Sequence, residues 1–224
     1  MGPFAYSTAG HVRRRANLAS VAALAAVDYR AVGLSDFGKP DNFLERQVAR
    51  WRSELEGYSK HAGWPGPQSL PRIDDVAAWL DKNRPGEYVP GIVHGDYHLA
   101  NVMYRLDSGE LAAIIDWELA TIGDPLLDLG WLLATWPEPG QAEGSVTVTP
   151  WEGFPTADEL VAHYAKHSTR DVGAIGWHAV LACYKLGILL EGTYARSCAG
   201  KAPKETGERL HAKGVRLFER AARW

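Results

Sequence analysis

The chain has 224 residues, 46% hydrophobic and 23% charged, with a formal net charge of −3. That length supports a real core, and the charge argues against a dedicated nucleic-acid binder, which carries a basic excess. Two cysteines, Cys183 and Cys198, both in segments that read as helix, are too few for a disulfide framework and point to a reducing compartment. No run is long and apolar enough to span a membrane. Arg13, Arg14 and Arg15 follow a short mixed stretch instead of preceding an apolar one, unlike a secretory leader. The expectation is a cytoplasmic protein with neither membrane nor nucleic acid as partner.

Ala9, Val12, Ala16, Ala19, Ala23 and Val27 recur at helical steps and predict a helix over 8–31, stopped at Gly33. A second helix is predicted over 42–58. Asn42 and Glu45 have the spacing of a capping box, and Leu44, Val48, Trp51, Leu55 and Tyr58 form an apolar stripe. Residues 63–71 are rich in Gly and Pro and read as loop, and a third helix covers 74–83, ended by Pro85-Gly86.

The texture then changes. Short strands are predicted at 88–93, 101–105 and 111–115, the last two flanking the turn Asp107-Ser108-Gly109. Pro125 suits the first turn of a helix reaching Trp136, with Asp124 as its cap. Residues 137–155 read as surface loop, and helices follow at 156–170, 174–197 and 203–222. Trp177, His178 and Tyr184 have core spacing. The fold class is α+β, mainly helical, with a small β-hairpin region.

Chemistry concentrates in His94-Gly95-Asp96-Tyr97-His98-Leu99-Ala100-Asn101 and in Ile114-Ile115-Asp116-Trp117-Glu118. Asp96 and Asn101 stand five residues apart in a loop between two strands, and Asp116 ends the next apolar strand. Phosphoryl transfer needs this set: one carboxylate to take or orient the proton of the attacking hydroxyl, and an amide oxygen with a second carboxylate to hold Mg²⁺ against phosphates. Glu118 reads as a surface residue. A zinc hydrolase is the rival for His94, Asp96 and His98, but no second cluster of metal-ligand spacing follows.

The runs HGDYHLANVMYR and AAIIDWELATIGDPLLDLGWLL resemble the aminoglycoside phosphotransferase (choline kinase-like) family. They are most similar to the branch whose domain is also found fused to acyl-CoA dehydrogenases. The resemblance extends from about Ala9 to the C-terminus and includes Asp36-Phe37-Gly38-Lys39-Pro40. That Asp-Phe-Gly lies upstream of the catalytic loop and is not the metal motif. The resemblance implies the C-terminal lobe of a protein-kinase-like fold over 1–224. Its catalytic core would span 89–136, and its substrate-side helices 156–224. It implies ATP and Mg²⁺ as cofactors and a small-molecule hydroxyl as substrate. Asp96 would be the base, Asn101 and Asp116 the metal ligands, and His98 a contact to the transferred phosphate. His94 and Asp128 would support the loop.

Enzymes of that family carry a lobe with a Gly-rich loop and a strand lysine. Lys39, Lys60 and Lys82 do not sit in such a context. The expectation is a kinase-like lobe that on its own binds nucleotide weakly and transfers phosphate negligibly, and whose apolar face favours self-association. The alternative is a non-catalytic binding module of the same ancestry. Asp158, Glu159 and Glu191 are the acidic residues available to a cationic substrate on the late helices.

Overall fold

The computed structural model describes residues 20–105, 107–108, 110–138 and 154–224. The chain divides into two compact units. One comprises the described residues up to Pro40 with Val89–Gly173, the other Asp41–Tyr88 with Ala174–Trp224.

The first unit opens with a helical stretch over 20–26 and turns up to Gly33. The helix expected to reach residue 31 therefore ends at 26, and its predicted start lies outside the described residues. Asp28 accounts for the early end. Its Oδ1 accepts the N–H groups of Arg30 and Ala31 at 2.9 and 3.3 Å, giving those donors a partner outside a helix.

Four short strands follow among the described residues. β1 (Gly91–Val93) pairs antiparallel with β4 (Thr121–Gly123), Ile92 opposite Ile122. β2 (Val102–Tyr104) pairs antiparallel with β3 (Leu111–Ile114), with a register shift between Met103 and Tyr104. The β2–β3 hairpin matches expectation. β4 had no sequence signal, because three residues carry no periodicity. Gly38 runs against β4: a Cβ there would lie 2.6 Å from Ile122 N.

α3 (Leu126–Thr135, numbered after two helices of the second unit) is buried at every position, and its residues are almost all apolar, the pattern of a central helix. The helix starts one residue later than expected, with Pro125 at the N-cap position, while Asp124 Oδ1 still accepts the Leu126 N–H at 3.1 Å. α4 (Ala157–His167) starts with a capping box formed by Thr156 and Glu159. Most of the predicted loop 137–155 lies outside the described residues.

The second unit is helical: α1 (Gln47–Glu56), α2 (Ile73–Lys82), α5 (Ile175–Cys198) and α6 (Lys204–Ala221). Val48, Trp51 and Leu55 of α1, with Ile73, Val76 and Leu80 of α2, form its buried stripes. The capping box predicted at Asn42 is absent. Asn42 adopts a left-handed φ of +54°, residues 41–46 form turns, and α1 starts at Gln47 without a side-chain cap. A capping residue needs extended backbone, and Asn is among the few side chains that tolerate the left-handed alternative.

α5 and α6 pack at close range. A Cβ on Gly187 would stand 2.7 Å from the Phe218 ring, and one on Gly207 would overlap the Ser197 hydroxyl. Trp177, His178 and Tyr184 of α5 are buried, as predicted. Glu191 departs from expectation. It is fully buried, accepting Trp64 Nε1–H and His211 Nδ1–H at 2.7 Å each, and so it does not face a substrate from the surface. A buried carboxylate needs such partners, and here they come from two separate segments of the unit, the Trp64 loop and α6. Glu159 is likewise engaged at home, in the α4 cap.

Candidate active site

β1 delivers the chain to His94, and the backbone turns at once. Gly95 has φ +85°, and a Cβ there would meet Leu119 O at 2.4 Å, so the turn demands glycine twice over. Asp128, in the first turn of α3, closes over this turn. Its Oδ2 accepts the His94 N–H at 2.7 Å and its Oδ1 the Gly95 N–H at 2.8 Å.

His94 is fully buried. Its Nε2 lies 2.9 Å from Ile115 O, while its Nδ1 accepts the Asp96 N–H at 3.3 Å. Nε2 therefore carries the proton. The ring links the loop before Asp96 to the end of β3, just ahead of Asp116. Trp117 lies against it with ring centroids 4.7 Å apart, its Nε1–H donated to Ile114 O. Tyr97, fully buried, bonds the Ser20 hydroxyl at 2.5 Å, which ties the loop to the helical stretch over 20–26. Burial pushes the Tyr97 phenol up.

Asp96 stands between two donors. Asn101 Nδ2–H reaches its Oδ2 and its main-chain carbonyl, both at 3.0 Å. His98 Nδ1 accepts the Ala100 N–H, so its Nε2 carries the proton and donates to Asp96 Oδ1 at 3.3 Å. Burial would raise the Asp96 carboxyl. The His98 hydrogen bond, the Asn101 amide and the electrostatic pull of the His98 and His94 rings together outweigh it and hold the group below the usual carboxylate range.

Asp116 is exposed and follows Ile115, whose N–H bonds Asn101 O at 2.9 Å. Its backbone is left-handed at φ +67°, and it opens the turn Trp117–Leu119. The structure thus brings Asp96, His98 and Asn101 into direct contact, and joins His94 to Asp128. Asp116 sits one residue beyond a backbone bond to Asn101. Glu118 is exposed.

Among the described residues no group of three or more His, Cys, Asp or Glu is placed to hold a metal ion. Both His94 nitrogens are committed within the fold, which removes the ligand set of a zinc hydrolase. Sequence reasoning missed the contacts of Trp117 and Ser20. The Gly95 turn had a usable signal, a glycine between His94 and Asp96.

The sequence profile of the phosphotransferase enzyme family matches residues 15–164. Acyl-CoA dehydrogenase family member 11 of Mus musculus is 30% identical over 218 residues, covering 91% of this chain and 27% of that protein. The probable acyl-CoA dehydrogenase IBR3 of Arabidopsis thaliana is 28% identical over 217 residues, covering 92% and 26%. The chain therefore spans about a quarter of the length of these relatives. A candidate aminoglycoside phosphotransferase from Ralstonia eutropha JMP134 superposes with a TM-score of 0.79 at 28% identity, over 97% of this chain and 67% of that one. Choline kinase from Cryptosporidium parvum, 10% identical, shares the fold at a TM-score of 0.60 over 96% of this chain and 67% of its own. No helix among the described residues is long and apolar enough to cross a membrane. With more than half of its length matched by the family profile and a kinase-like fold around the His94–Asn101 loop, the chain belongs to the phosphotransferase enzyme family.

Proposed function

We propose that the chain carries the catalytic loop of a kinase-type enzyme that moves the γ-phosphoryl group of ATP to a hydroxyl of a small molecule. The observation that carries this reading is the Asp96 carboxylate, held ionised by His98 and Asn101 on a loop that Asp128 braces. Phosphoryl transfer proceeds through a loose transition state, so the attacking hydroxyl gives up its proton late. A carboxylate of low basicity suits that sequence. Asp96 orients the hydroxyl towards phosphorus, accepts its proton as the new O–P bond forms, and is held in place by two donors. His98 acts first on Asp96 in this geometry, which adds a positioning role to its expected contact with phosphate.

The donor set fits Mg²⁺. Asn101 spends its Nδ2 on Asp96, which leaves Oδ1 as the amide atom for a cation, and Asp116 presents an exposed carboxylate. Both are hard oxygen ligands, and Mg²⁺ takes the rest of its shell from phosphates and water. Asn101 and Asp116 would hold the ion, which when bound offsets the charge of the nucleotide phosphates.

Transfer from γ-labelled ATP tests the reading. The acceptor panel should hold amino alcohols, aminocyclitols and hydroxy acids, suggested by the choline kinase, aminoglycoside phosphotransferase and acyl-CoA dehydrogenase names of the similar proteins. Labelled product with these residues joined to a lobe that carries a Gly-rich loop and a strand lysine, and none with Asp96→Asn in the same polypeptide, is the expected result. Bound Mg·ATP without product from any acceptor overturns it and favours a binding module.

A further inference from the structure

Arg170 lies just beyond α4 and outside the family-matched residues 15–164. Its guanidinium is spent entirely on main-chain carbonyls. Nε and Nη2 donate to Ala25 O at 3.1 and 2.9 Å, Nη1 donates to Val89 O, and Nη2 reaches Pro90 O at 3.5 Å. Ala25 is in the last turn of the helical stretch over 20–26, where carbonyls have no partner within the helix and a cation is favoured. Val89 and Pro90 are the two residues that lead into β1. A Cβ on Gly91 would stand 2.6 Å from Arg170 Nη2 and 2.6 Å from the Pro125 ring. The guanidinium therefore lies against the first residue of β1, on the face of Gly91 that the Pro125 ring also borders.

Both elements it bonds, and the start of α3 that borders the same face of Gly91, lead to the loop that bears Asp96. β1 runs directly into His94 and Gly95. α3 supplies Asp128, which holds the N–H groups of those two residues. The helical stretch over 20–26 bonds Tyr97 through Ser20. We propose that Arg170 is a positioning residue for phosphoryl transfer, a single forked clamp that holds the entry to β1 against the end of the 20–26 helix so that Asp96 keeps its place. This rests on the phosphotransferase reading above. The planar fork matters: a lysine ammonium can reach one or two of these carbonyls but cannot match their spread.

The test uses Arg170→Lys and Arg170→Ala in the full chain, with two readouts taken well below the thermal midpoint of each variant. The first is amide exchange of His94 and Gly95, whose N–H groups Asp128 holds. The second is steady-state transfer, separated into kcat and KM for nucleotide. Arg170→Ala is expected to speed exchange at both amides and to lower kcat about tenfold, with KM changed less than about twofold, because misplacing a catalytic group costs rate rather than substrate affinity. Arg170→Lys falls between, and added methylguanidinium restores part of the lost kcat to Arg170→Ala. Unchanged exchange at His94 and Gly95, or a kcat loss that merely follows the folded fraction, overturns the proposal. Should Arg170→Ala not fold, Arg170→Lys carries both readouts. Absence of transfer by the unsubstituted polypeptide even when it is joined to a nucleotide-binding lobe sinks the proposed function instead, and amide exchange then decides the clamp alone.

Discussion

Asp128 reaches across from α3 to take the main-chain N–H of His94 on one carboxylate oxygen, at 2.7 Å, and it takes the next N–H, that of Gly95, on the other. No other side chain of similar size offers two equivalent acceptors. Asp128→Asn replaces one of them with a donor that faces an N–H. At a site this buried, one unmet N–H costs roughly 1–3 kcal/mol. Urea unfolding should show a loss of that size, and a midpoint equal to that of the unsubstituted chain would mean the brace contributes nothing.

Asp96→Asn should lower kcat by roughly 10²–10⁴-fold, the usual contribution of a positioned proton acceptor, and leave nucleotide affinity nearly intact. Asp116→Ala should weaken Mg·nucleotide binding as well, because an oxygen ligand is lost. Calorimetric titration beside transfer kinetics separates the two. Near-normal turnover in Asp96→Asn removes its assigned role.

The depressed Asp96 carboxyl sets a direction for acid stability. Unfolded, an Asp titrates at about 3.9. Folded, Asp96 keeps its charge to lower pH under the influence of His98 and Asn101. The unfolded chain therefore takes up the proton first as pH falls. The stabilisation is complete above about pH 5 and drains as pH drops through the folded value. Midpoints in urea, measured from about pH 5 downward, should fall more steeply for the unsubstituted chain than for Asp96→Asn. Parallel slopes would contradict the assigned shift.

In the second unit, Glu191 collects Trp64 from a loop and His211 from α6 onto α5. Glu191→Ala strands the buried Trp64 N–H and opens a cavity, so a loss of about 2–4 kcal/mol is expected. Glu191→Gln should recover part of it, since its carbonyl oxygen can still accept one of the two donors. Thermal unfolding of both variants measures the difference. An exposed acidic residue recruited for a cationic ligand would show almost no stability change.

The helices were legible where apolar residues recur over three or more turns, as in Val48, Trp51, Leu55 and in the long α5. Their ends were less so. Asn42 and Thr156 both begin a polar-x-x-Glu sequence, and only Thr156 caps a helix, because Asn42 takes a left-handed turn that no local pattern marks. The β1–β4 pairing joins three-residue segments about 30 residues apart, and its register is set by packing rather than alternation. At the candidate site, the contact of Asp96 with Asn101 could be anticipated from their spacing. Arg170 could not, because its partners are backbone carbonyls, which every residue possesses and no sequence reveals. Glu191 failed for a related reason: its charge suggested the surface, and the partners that pay for its burial lie far away in sequence.

Asp116 carries its carboxylate on left-handed backbone, φ +67° and ψ +61°. The two demands intersect narrowly. Gly and Asn accept that backbone readily but bring no negative charge. Glu brings the charge on a longer stem and lacks the short polar group that lets Asp tolerate the conformation. A lineage drifting at this position thus has no acidic substitute within reach of a small change, and Asp116→Glu should behave as a loss rather than a conservative exchange. Under its proposed role of holding Mg²⁺, the charge and the bend together favour Asp at this position.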